Sequence, residues 1–349
     1  MLNTLPSENE MYRALLDKDA AYEGVFIVGV RSTGIFCRPT CSARKPKREN
    51  VEYFPAAREA LASGYRPCKR CRPLEPAGEV PLWLRGLLSE VEKDPSRRWR
   101  DRDLRDLGLD PGRVRRWFKR EHDMTFHTYL RARRLGLALG RIRQGDDLAG
   151  TAFGHGYESD SGFREAFEKY FGATPGRSRE RGLMHVTRVT SPLGPLVAGA
   201  TDEGVCLLEF TDRRMLEKQI ETLGRRLKCA VAPGSNKMLD RLQEQLAEYF
   251  DGKRRDFDLP LVAPGTEFQE SVWAELRKIP PGWTRSYREL AEALGKPGAQ
   301  RAVGRANGDN RIAIIIPCHR VVRGDGTLGG YGGGTWRKQF LLDLERSPK

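Results

Sequence analysis

Residues 314–322 read Ile-Ile-Ile-Pro-Cys-His-Arg-Val-Val. The β-branched run predicts a buried strand over 314–316. Pro317 fixes its own φ and has no N–H to donate, so it ends the strand and presents Cys318 at a sharp turn. A thiol reacts as its thiolate, which a nearby proton acceptor and a positive charge favour, and His319 and Arg320 are candidates for these roles. The alternative is an ordinary buried cysteine, since free cysteine is among the most buried residue types.

The composition of the chain indicates a polyanionic partner. Its 349 residues allow about two to four domains. The formal net charge is +14 and the pI is near 9.6, which favours nucleic acid as a partner over the alternative of a merely soluble basic protein. No apolar run is long enough to predict a membrane span, and the N-terminal residues lack the pattern of a secretion signal. We therefore expect a cytoplasmic protein.

Four of the seven cysteines form two closely spaced pairs. Three residues separate Cys37 from Cys41, two separate Cys68 from Cys71, and 26 lie between the pairs. Two such pairs can close a tetrahedral four-thiolate zinc site, whereas the alternative is two unrelated pairs in loops. The surrounding pattern predicts a strand over 25–30 and a short helix over 56–63. A unit this small would depend on the metal for its stability.

The stretch from about residue 80 to residue 182 is basic and helical in pattern. Residues 97–143 contain fifteen Arg or Lys and six Asp or Glu. Pro111 predicts the first turn of a helix over 111–121, and Thr125 predicts the cap of a longer helix that ends near Gly145. On the first of these helices, the basic residues predicted to face outward are Arg113, Arg115, Arg116, Lys119 and Arg120. A second pair of short helices follows. Before this stretch, a linker is predicted from Pro73, Pro76, Gly78 and Pro81.

The remaining sequence predicts an α/β unit followed by a helical unit. In the first, the pattern predicts strands over 186–189 and 205–210 and helices over 215–227 and 239–250. We interpret Cys206 and Cys229 as structural, since neither belongs to a motif. In the second, a capped segment over 286–295 and a helix over 299–307 together predict a helix-turn-helix.

Residues 268–345 resemble the catalytic domain of the O6-alkylguanine-DNA alkyltransferases. The resemblance rests on Pro-Cys-His-Arg-Val at 317–321 and on Ser286-Tyr287, Arg301-Ala302-Val303-Gly304, Asn310, Gly330-Tyr331 and Glu345. The resemblance implies that a cysteine takes the alkyl group from guanine O6, and a base must leave the duplex to meet a protein side chain. A thioether has no easy return to a thiol, so the protein would act once.

The resemblance also assigns the chemical roles. Cys318 would accept the alkyl group, and His319 with Glu345 would remove the thiol proton. Asn310 would brace the turn that precedes the active loop.

The same resemblance assigns the contacts with DNA and with the base. Tyr287 would displace the phosphate and contact the base edge, and Arg301 would fill the gap that the flipped base leaves. The Val321 carbonyl, Tyr331 and Gly332 would form the pocket walls. The family often has serine at the position of Gly332, so a hydroxyl contact to O6 is missing here.

Residues 31–41 and 64–71 resemble the N-terminal domain of the bacterial Ada family, through Arg-Ser-Thr-Gly-Ile-Phe-Cys-Arg-Pro-Thr-Cys and Gly-Tyr-Arg-Pro-Cys-Lys-Arg-Cys. The resemblance implies that Cys37 accepts a methyl group from DNA methylphosphotriesters, with Cys41, Cys68 and Cys71 as fellow zinc ligands. Zinc holds sulfur deprotonated. Methylation would remove one negative charge and strengthen DNA binding. The alternative is a purely structural zinc module.

Residues 124–130, Arg134-Leu135 and 156–164 resemble the paired helix-turn-helix domain of AraC-type activators. The resemblance implies recognition helices over 111–121 and 160–170, each in a major groove. The first helix pair departs from the family, because residues 99–107 are very charged. The alternative is a basic helical spacer that binds phosphates only.

We therefore predict a multidomain α+β protein. Its predicted parts are a small four-cysteine zinc domain over 1–77, an all-α paired helix-turn-helix domain over 80–182, an α/β subdomain over 185–262 and a helical alkyltransferase catalytic domain over 263–349.

The expected function is DNA repair combined with transcriptional activation. Methyl groups from O6-methylguanine and O4-methylthymine would pass to Cys318, and those from methylphosphotriesters to Cys37, which would switch on promoter binding. One zinc ion and no organic cofactor are expected. The expected partners are double-stranded alkylated and promoter DNA and, after methylation, RNA polymerase, with no membrane partner. We expect a monomer in the bacterial cytoplasm, associated with the nucleoid. The rival hypotheses are a repair protein that regulates nothing and a zinc-dependent transcription factor with an inert C-terminal domain.

Overall fold

The computed structural model describes residues 5–19, 22–71, 73–74, 80–122, 124–213 and 215–346. Sheets and helices are combined along the chain, so the predicted multidomain α+β class is confirmed. Within these ranges, no helix is both long and apolar enough to cross a membrane.

The first group of elements is a small sheet flanked by helices. It comprises α1 Glu8–Asp17, β1 Ile27–Val30, β2 Ile35–Cys37, β3 Val51–Phe54, α2 Ala57–Ala62 and β4 Arg66–Pro67. The strand order is β3-β1-β2-β4, with β2 and β4 parallel. β2 ends at Cys37, and the Cys68 N–H donates to the Phe36 carbonyl at 3.0 Å. The strand pairing thereby brings the two cysteine pairs together, and the predicted strand and helix are confirmed.

The second group is helical. It comprises α3 Leu82–Lys93, α4 Asp101–Asp106, α5 Pro111–His122, α6 Phe126–Arg143, α7 Leu148–Gly154 and α8 Asp160–Phe171. Pro111 is the first residue of α5, and Thr125 caps α6 by accepting from the Thr128 N–H at 3.2 Å, so both predicted helix starts are confirmed. Of the predicted linker, Pro76 and Gly78 lie outside the described residues.

The third group is a sheet with a helix on either side of its last strand in sequence. It comprises β5 Gly182–Val189, β6 Leu196–Ala200, β7 Val205–Phe210, α9 Leu216–Arg226, β8 Cys229–Pro233 and α10 Lys237–Phe250. The order is β7-β6-β5-β8, with β5 and β8 parallel. Cys206 and Cys229 are buried in this unit, as their structural interpretation requires. The domain limits themselves stay predictions.

Helix α6 belongs to two hydrophobic cores. Its first turns, with Phe126 and Leu130, pack among α3 and α5. Its later turns, with Leu139, pack between α8 and the sheet of the third group. Gly136 lies directly on that sheet, because a Cβ at this position would be 2.6 Å from the Ala232 Cβ.

The fourth group carries the predicted helix-turn-helix. It comprises α11 Glu267–Arg277, β9 Arg285–Ser286, α12 Tyr287–Ala293, α13 Gln300–Gly308, a 3-10 turn Cys318–Arg320, β10 Val321–Val322 and α14 Thr335–Arg346. Ser286 caps α12 by accepting from the Glu289 N–H at 3.2 Å. The helix-turn-helix of α12 and α13 is therefore confirmed.

The prediction of a strand over 314–316 is wrong. These residues form a turn, in which the Ile316 N–H donates to the Ile312 carbonyl at 3.0 Å and Ile314 has a φ of 72°. A positive φ is incompatible with an extended strand. The Asn310 side chain stabilises the turn, because its Nδ2 donates to the Ile316 carbonyl at 2.9 Å and its Oδ1 accepts from the Ile312 N–H at 3.0 Å. The isoleucine pattern indicated burial rather than strand structure.

Candidate functional site

Cys318 begins the 3-10 turn that follows Pro317, and only 7% of the residue is exposed. The Asn310 amide donates to its Sγ at 3.1 Å. Burial raises the pKa of the Cys318 thiol, and the bond from Asn310 only partly opposes that rise. The sulfur therefore needs a proton acceptor before it can react as a thiolate.

His319 and Glu345 form a buried pair, with 2.9 Å between Nε2 and Oε1. Burial lowers the pKa of His319. Burial also favours a higher pKa for Glu345, but hydrogen bonds from His319 and Arg320 outweigh it and hold that pKa well below its usual range. The pair is thus a neutral imidazole and a carboxylate. Because Nε2 donates to Glu345, Nδ1 is the basic nitrogen, and it is buried without a hydrogen-bond partner among the described residues.

Two further side chains orient Glu345. The Nε and Nη2 atoms of Arg320 each donate to it at 2.8 Å, and the Tyr249 hydroxyl donates at 2.8 Å. The prediction that Arg320 supplies positive charge to the thiol is wrong, because its guanidinium is bound to Glu345 and to the Ile279 carbonyl. A buried guanidinium requires such a partner. Tyr249 was missed, since it lies far from Glu345 in sequence and no local pattern signals the contact.

A pocket adjoins Cys318. Residues that the resemblance assigned line it together: Tyr287, Asn310, Tyr331 and Gly332. The Tyr287 ring fits because Gly329 carries no side chain, where a Cβ would lie 3.0 Å from the tyrosine hydroxyl. Burial raises the pKa of Tyr287, so its hydroxyl is a neutral donor. The lining also contains Glu209, Arg213 and Asn307, which sequence reasoning missed.

Two other residues to which the resemblance assigned roles, Val321 and Arg301, differ in their exposure to solvent. Val321 is fully buried, and its carbonyl accepts a hydrogen bond from Lys338 Nζ. Burial lowers the pKa of Lys338 to about 8. Arg301 is exposed on α13. Lys338 was missed, although its spacing from Glu345 puts both residues on one face of α14, which was an available signal.

The four N-terminal cysteines form one cluster. The Sγ atoms of Cys37, Cys41, Cys68 and Cys71 all lie within 4.8 Å of one another. Zn–S bonds of about 2.3 Å place tetrahedral ligands about 3.8 Å apart, and the Cys41 and Cys68 sulfurs are separated by 4.0 Å. Hydrogen bonds with Cys41 and Cys71, followed by burial, raise the pKa of Cys37, so four thiolates require a cation among them. The cluster fits one zinc ion.

A buried carboxylate fixes the loop between Cys37 and Cys41. Glu23 accepts hydrogen bonds from Arg38 and from Thr40. Arg38 also donates its backbone N–H to Cys71 Sγ at 3.4 Å and its Nε to the Cys71 carbonyl at 3.0 Å. Sequence reasoning missed Glu23 because it precedes the cysteine motif.

The basic face predicted for α5 is partly used within the protein. Arg116 and Lys119 are exposed, as predicted. Arg115 forms an ion pair with Asp101 at 2.9 Å, and the Arg113 guanidinium lies 4.0 Å from the centroid of the Trp83 ring. The side chain of Arg120 is outside the described residues. The first recognition helix therefore presents less unpaired charge than the sequence indicated.

Comparisons with known proteins cover most of the chain. Residues 10–74 match the family described as the metal binding domain of Ada, and residues 104–181 match a helix-turn-helix domain. Residues 184–263 and 267–347 match the ribonuclease-like domain and the DNA binding domain of 6-O-methylguanine DNA methyltransferase.

Individual relatives match either nearly the whole chain or about half of it. The bifunctional transcriptional activator/DNA repair enzyme Ada of Escherichia coli is 34% identical over 366 residues, covering 98% of this chain and 97% of that protein. The methylated-DNA–protein-cysteine methyltransferase of Mycobacterium tuberculosis is 46% identical over 165 residues, covering 47% of this chain and 94% of that protein. A crystal structure of the O6-methylguanine methyltransferase of the same species has a TM-score of 0.40 and 44% identity, covering 47% of this chain and 95% of that one.

Proposed function

Since this chain belongs to the family of the bifunctional transcriptional activator/DNA repair enzyme Ada, we propose that it moves methyl groups from DNA irreversibly to two of its own cysteines, Cys318 and Cys37. The observation that carries the proposal is the buried pair of Glu345 and His319, the residue that follows Cys318 in the chain, combined with a separate cluster of four cysteines. The protein is thus a single-turnover methylated-DNA–protein-cysteine methyltransferase.

Cys318 repairs O6-methylguanine and O4-methylthymine in this proposal. Arg301, exposed on α13, fills the duplex where the base leaves, and Tyr287 displaces the phosphate. Asn310 holds the active turn, and Tyr331 and Gly332 are pocket walls. The Val321 carbonyl, which accepts from Lys338, is assigned as a further wall by the family resemblance.

The reaction at Cys318 begins with loss of the thiol proton to the basic Nδ1 of His319, directly or through water. Glu345 stabilises the resulting imidazolium, since it is already a carboxylate. The sulfur then attacks the methyl carbon in line. A C–S bond forms, the C–O bond breaks and guanine keeps the electron pair.

Cys37 accepts methyl groups from methylphosphotriesters, with Cys41, Cys68 and Cys71 as fellow zinc ligands. A zinc ion held by these four cysteines would keep the Cys37 sulfur deprotonated at neutral pH, so Cys37 would need no general base. The hydrogen bonds of Glu23 hold the Cys37–Cys41 loop in place. Methylation removes one negative charge next to DNA phosphates, and the lower repulsion strengthens binding.

The methylated protein binds promoter DNA more tightly. It does so through the helices α5 and α8, whose exposed residues face major grooves. The methylated protein then contacts RNA polymerase and induces repair genes. We assign the zinc domain to residues 1–77, the helix-turn-helix domain to 80–182 and the methyltransferase to 185–262 and 263–349. The protein is a monomer, located in the bacterial cytoplasm at the nucleoid.

One observation favours a second candidate, repair without regulation. The pairing of Arg115 with Asp101 reduces the charge that the first recognition helix offers to DNA. Gel shifts of promoter DNA at fixed salt, with Cys37-methylated and unmethylated protein, separate the two candidates. Equal affinity rejects the switch.

Mass spectrometry of cysteine peptides tests the transfer itself. Incubation with O6-methylguanine DNA should add one methyl group to Cys318, and incubation with phosphotriester DNA should add one to Cys37. Cys318→Ser and Cys37→Ser serve as reciprocal controls, because each should lose one label and keep the other. Labels at neither cysteine would overturn the proposal.

A further inference from the structure

A cation lies in the wall of the Cys318 pocket. Arg213 comes from the segment between β7 and α9, and it lines the pocket together with Cys318 and Gly332. Only 14% of its side chain is exposed. A charge that is largely removed from water requires partners that hold it there.

Two contacts fix Arg213. Its Nε lies 3.1 Å from Oε2 of Glu209, whose side chain is 2% exposed. Its Nη2 donates to the Gly308 carbonyl at 2.5 Å, at the last residue of α13, where the helix dipole attracts cations. The guanidinium is therefore held by a buried carboxylate on one element and by a helix end on another.

The absence of a side chain at Gly332 makes this position possible. A Cβ at Gly332 would lie 1.1 Å from Arg213 Nη1. No other residue at 332 is compatible with this placement of the guanidinium. Arg213 thus occupies the volume into which a side chain at 332 would project, in the wall of the pocket that Cys318 also lines.

We propose that Arg213 is a catalytic residue, whose guanidinium donates a hydrogen bond to O6 of guanine as the methyl group leaves. The inference rests on the proposed function of Cys318. In the transfer the S–C bond to the methyl carbon forms, the C–O6 bond breaks and its electron pair passes to guanine. The proton that left the thiol returns to guanine, so the products are neutral guanine and S-methylcysteine. A fixed cation beside O6 stabilises the negative charge that develops there.

Single-turnover kinetics of the full chain test this role. With protein in excess over a duplex containing one O6-methylguanine, Arg213→Ala should lower the rate constant for methyl uptake at Cys318 by about tenfold to a hundredfold. The dissociation constant for the duplex should change by less than about twofold. Arg225→Ala is the matched control, because it removes the same charge from an exposed position of α9 and should leave the rate constant unchanged.

A second substitution distinguishes two roles for Arg213: a hydrogen-bond donor to O6, or a side chain that only obstructs the pocket. Gly332→Ser alone should lower the rate constant, because its Cβ displaces the guanidinium. In the Arg213→Ala background the same substitution should raise the rate constant, since a hydroxyl then enters the vacated volume. A cooperative thermal unfolding transition of the unit that carries Cys318 should remain in every variant, which shows that this unit is folded, and methyl uptake at Cys37 from phosphotriester DNA should be unchanged.

Two results would overturn the inference. An unchanged or faster transfer with Arg213→Ala rejects the catalytic role, and so does a Gly332→Ser effect of the same sign in both backgrounds. If the unsubstituted protein gains no methyl group at Cys318, the proposed function has failed first. The two failures are distinguishable, because the first leaves the unsubstituted protein active.

Discussion

Replacing Glu345 with glutamine should destabilise the catalytic unit and slow methyl uptake at Cys318. The carboxylate accepts hydrogen bonds from His319, Arg320 and Tyr249, all of them buried. Glutamine keeps the shape of the side chain, but one oxygen becomes an amide nitrogen that only donates. The guanidinium of Arg320 then faces a neutral group without leaving its buried position.

The loss of the ion pair dominates the expected effect. Removing one partner of a buried pair costs about 3–5 kcal/mol. Leaving a buried donor such as the Tyr249 hydroxyl unsatisfied costs about 1–3 kcal/mol, and the amide oxygen still satisfies one donor. We therefore expect the free energy of unfolding of this unit to fall by about 3–5 kcal/mol. At about 1.4 kcal/mol per factor of ten, the open population rises roughly a hundredfold to several thousandfold.

Thiol labelling measures this locally. Cys318 is buried at a pocket that is proposed to admit a single base, so an alkylating reagent larger than a base reaches its sulfur only when the surrounding structure opens. When closing is fast, the labelling rate follows the open population, and the Cys318 peptide can be quantified by mass spectrometry. Glu292→Gln, at an exposed position of α12, is the matched control and should change the free energy by less than about 0.5 kcal/mol.

A Glu345→Gln protein that labels within about tenfold of the unsubstituted protein would refute the reasoning, since that ratio corresponds to only about 1.4 kcal/mol. It would mean that Arg320 finds another partner or reaches water. Normal methyl uptake by this variant would separately refute the role of the carboxylate in proton removal.

Three further predictions concern the turn, the metal and pH. Asn310→Ala removes the bonds to the 312–316 turn and to the sulfur, so Cys318 labelling should accelerate by an amount corresponding to about 1–3 kcal/mol, and equal labelling would contradict the bracing role. Zinc removal by a chelator should abolish methyl uptake at Cys37 and expose the first group of elements to protease, while uptake at Cys318 continues; loss at both sites would show that the units are not independent. Because burial holds the pKa of His319 below the ordinary 6.5, protonation favours the unfolded state, and thermal stability should fall as pH decreases below about 6.5. His319→Asn should flatten that decline, and an identical pH profile would contradict a neutral histidine. The depressed pKa of Glu345 adds a further loss as pH falls below its ordinary 4.5.

The features that the sequence predicted correctly are those fixed by residues close together in the chain. Helix starts followed from single capping residues, as at Thr125 and Ser286, because the cap bonds a backbone N–H three residues away. The four zinc ligands were predicted from the spacing of the cysteines and from the sequence motifs around Cys37 and Cys68. In each case the deciding contact lies within a few residues or within one motif.

What the sequence could not predict depends on distant contacts. The run at 314–316 has the composition of a strand, but the Asn310 side chain satisfies the backbone groups that a neighbouring strand would otherwise bond. Arg320 stands beside the reactive cysteine in sequence, yet its charge is satisfied by Glu345 on α14. Arg213 reaches the pocket from the segment between β7 and α9, far from Gly332 in sequence. Its guanidinium fits there because Gly332 has no side chain.

The position of α6 constrains how the protein can be divided. Its early residues complete one apolar interior and Leu139 completes another, so a fragment that ends after α8 would leave Gly136 and its neighbours without the sheet that covers them. A fragment that begins at β5 would lack the matching cover on Ala232. Each fragment would expose an apolar surface to solvent, and we expect low solubility of both fragments.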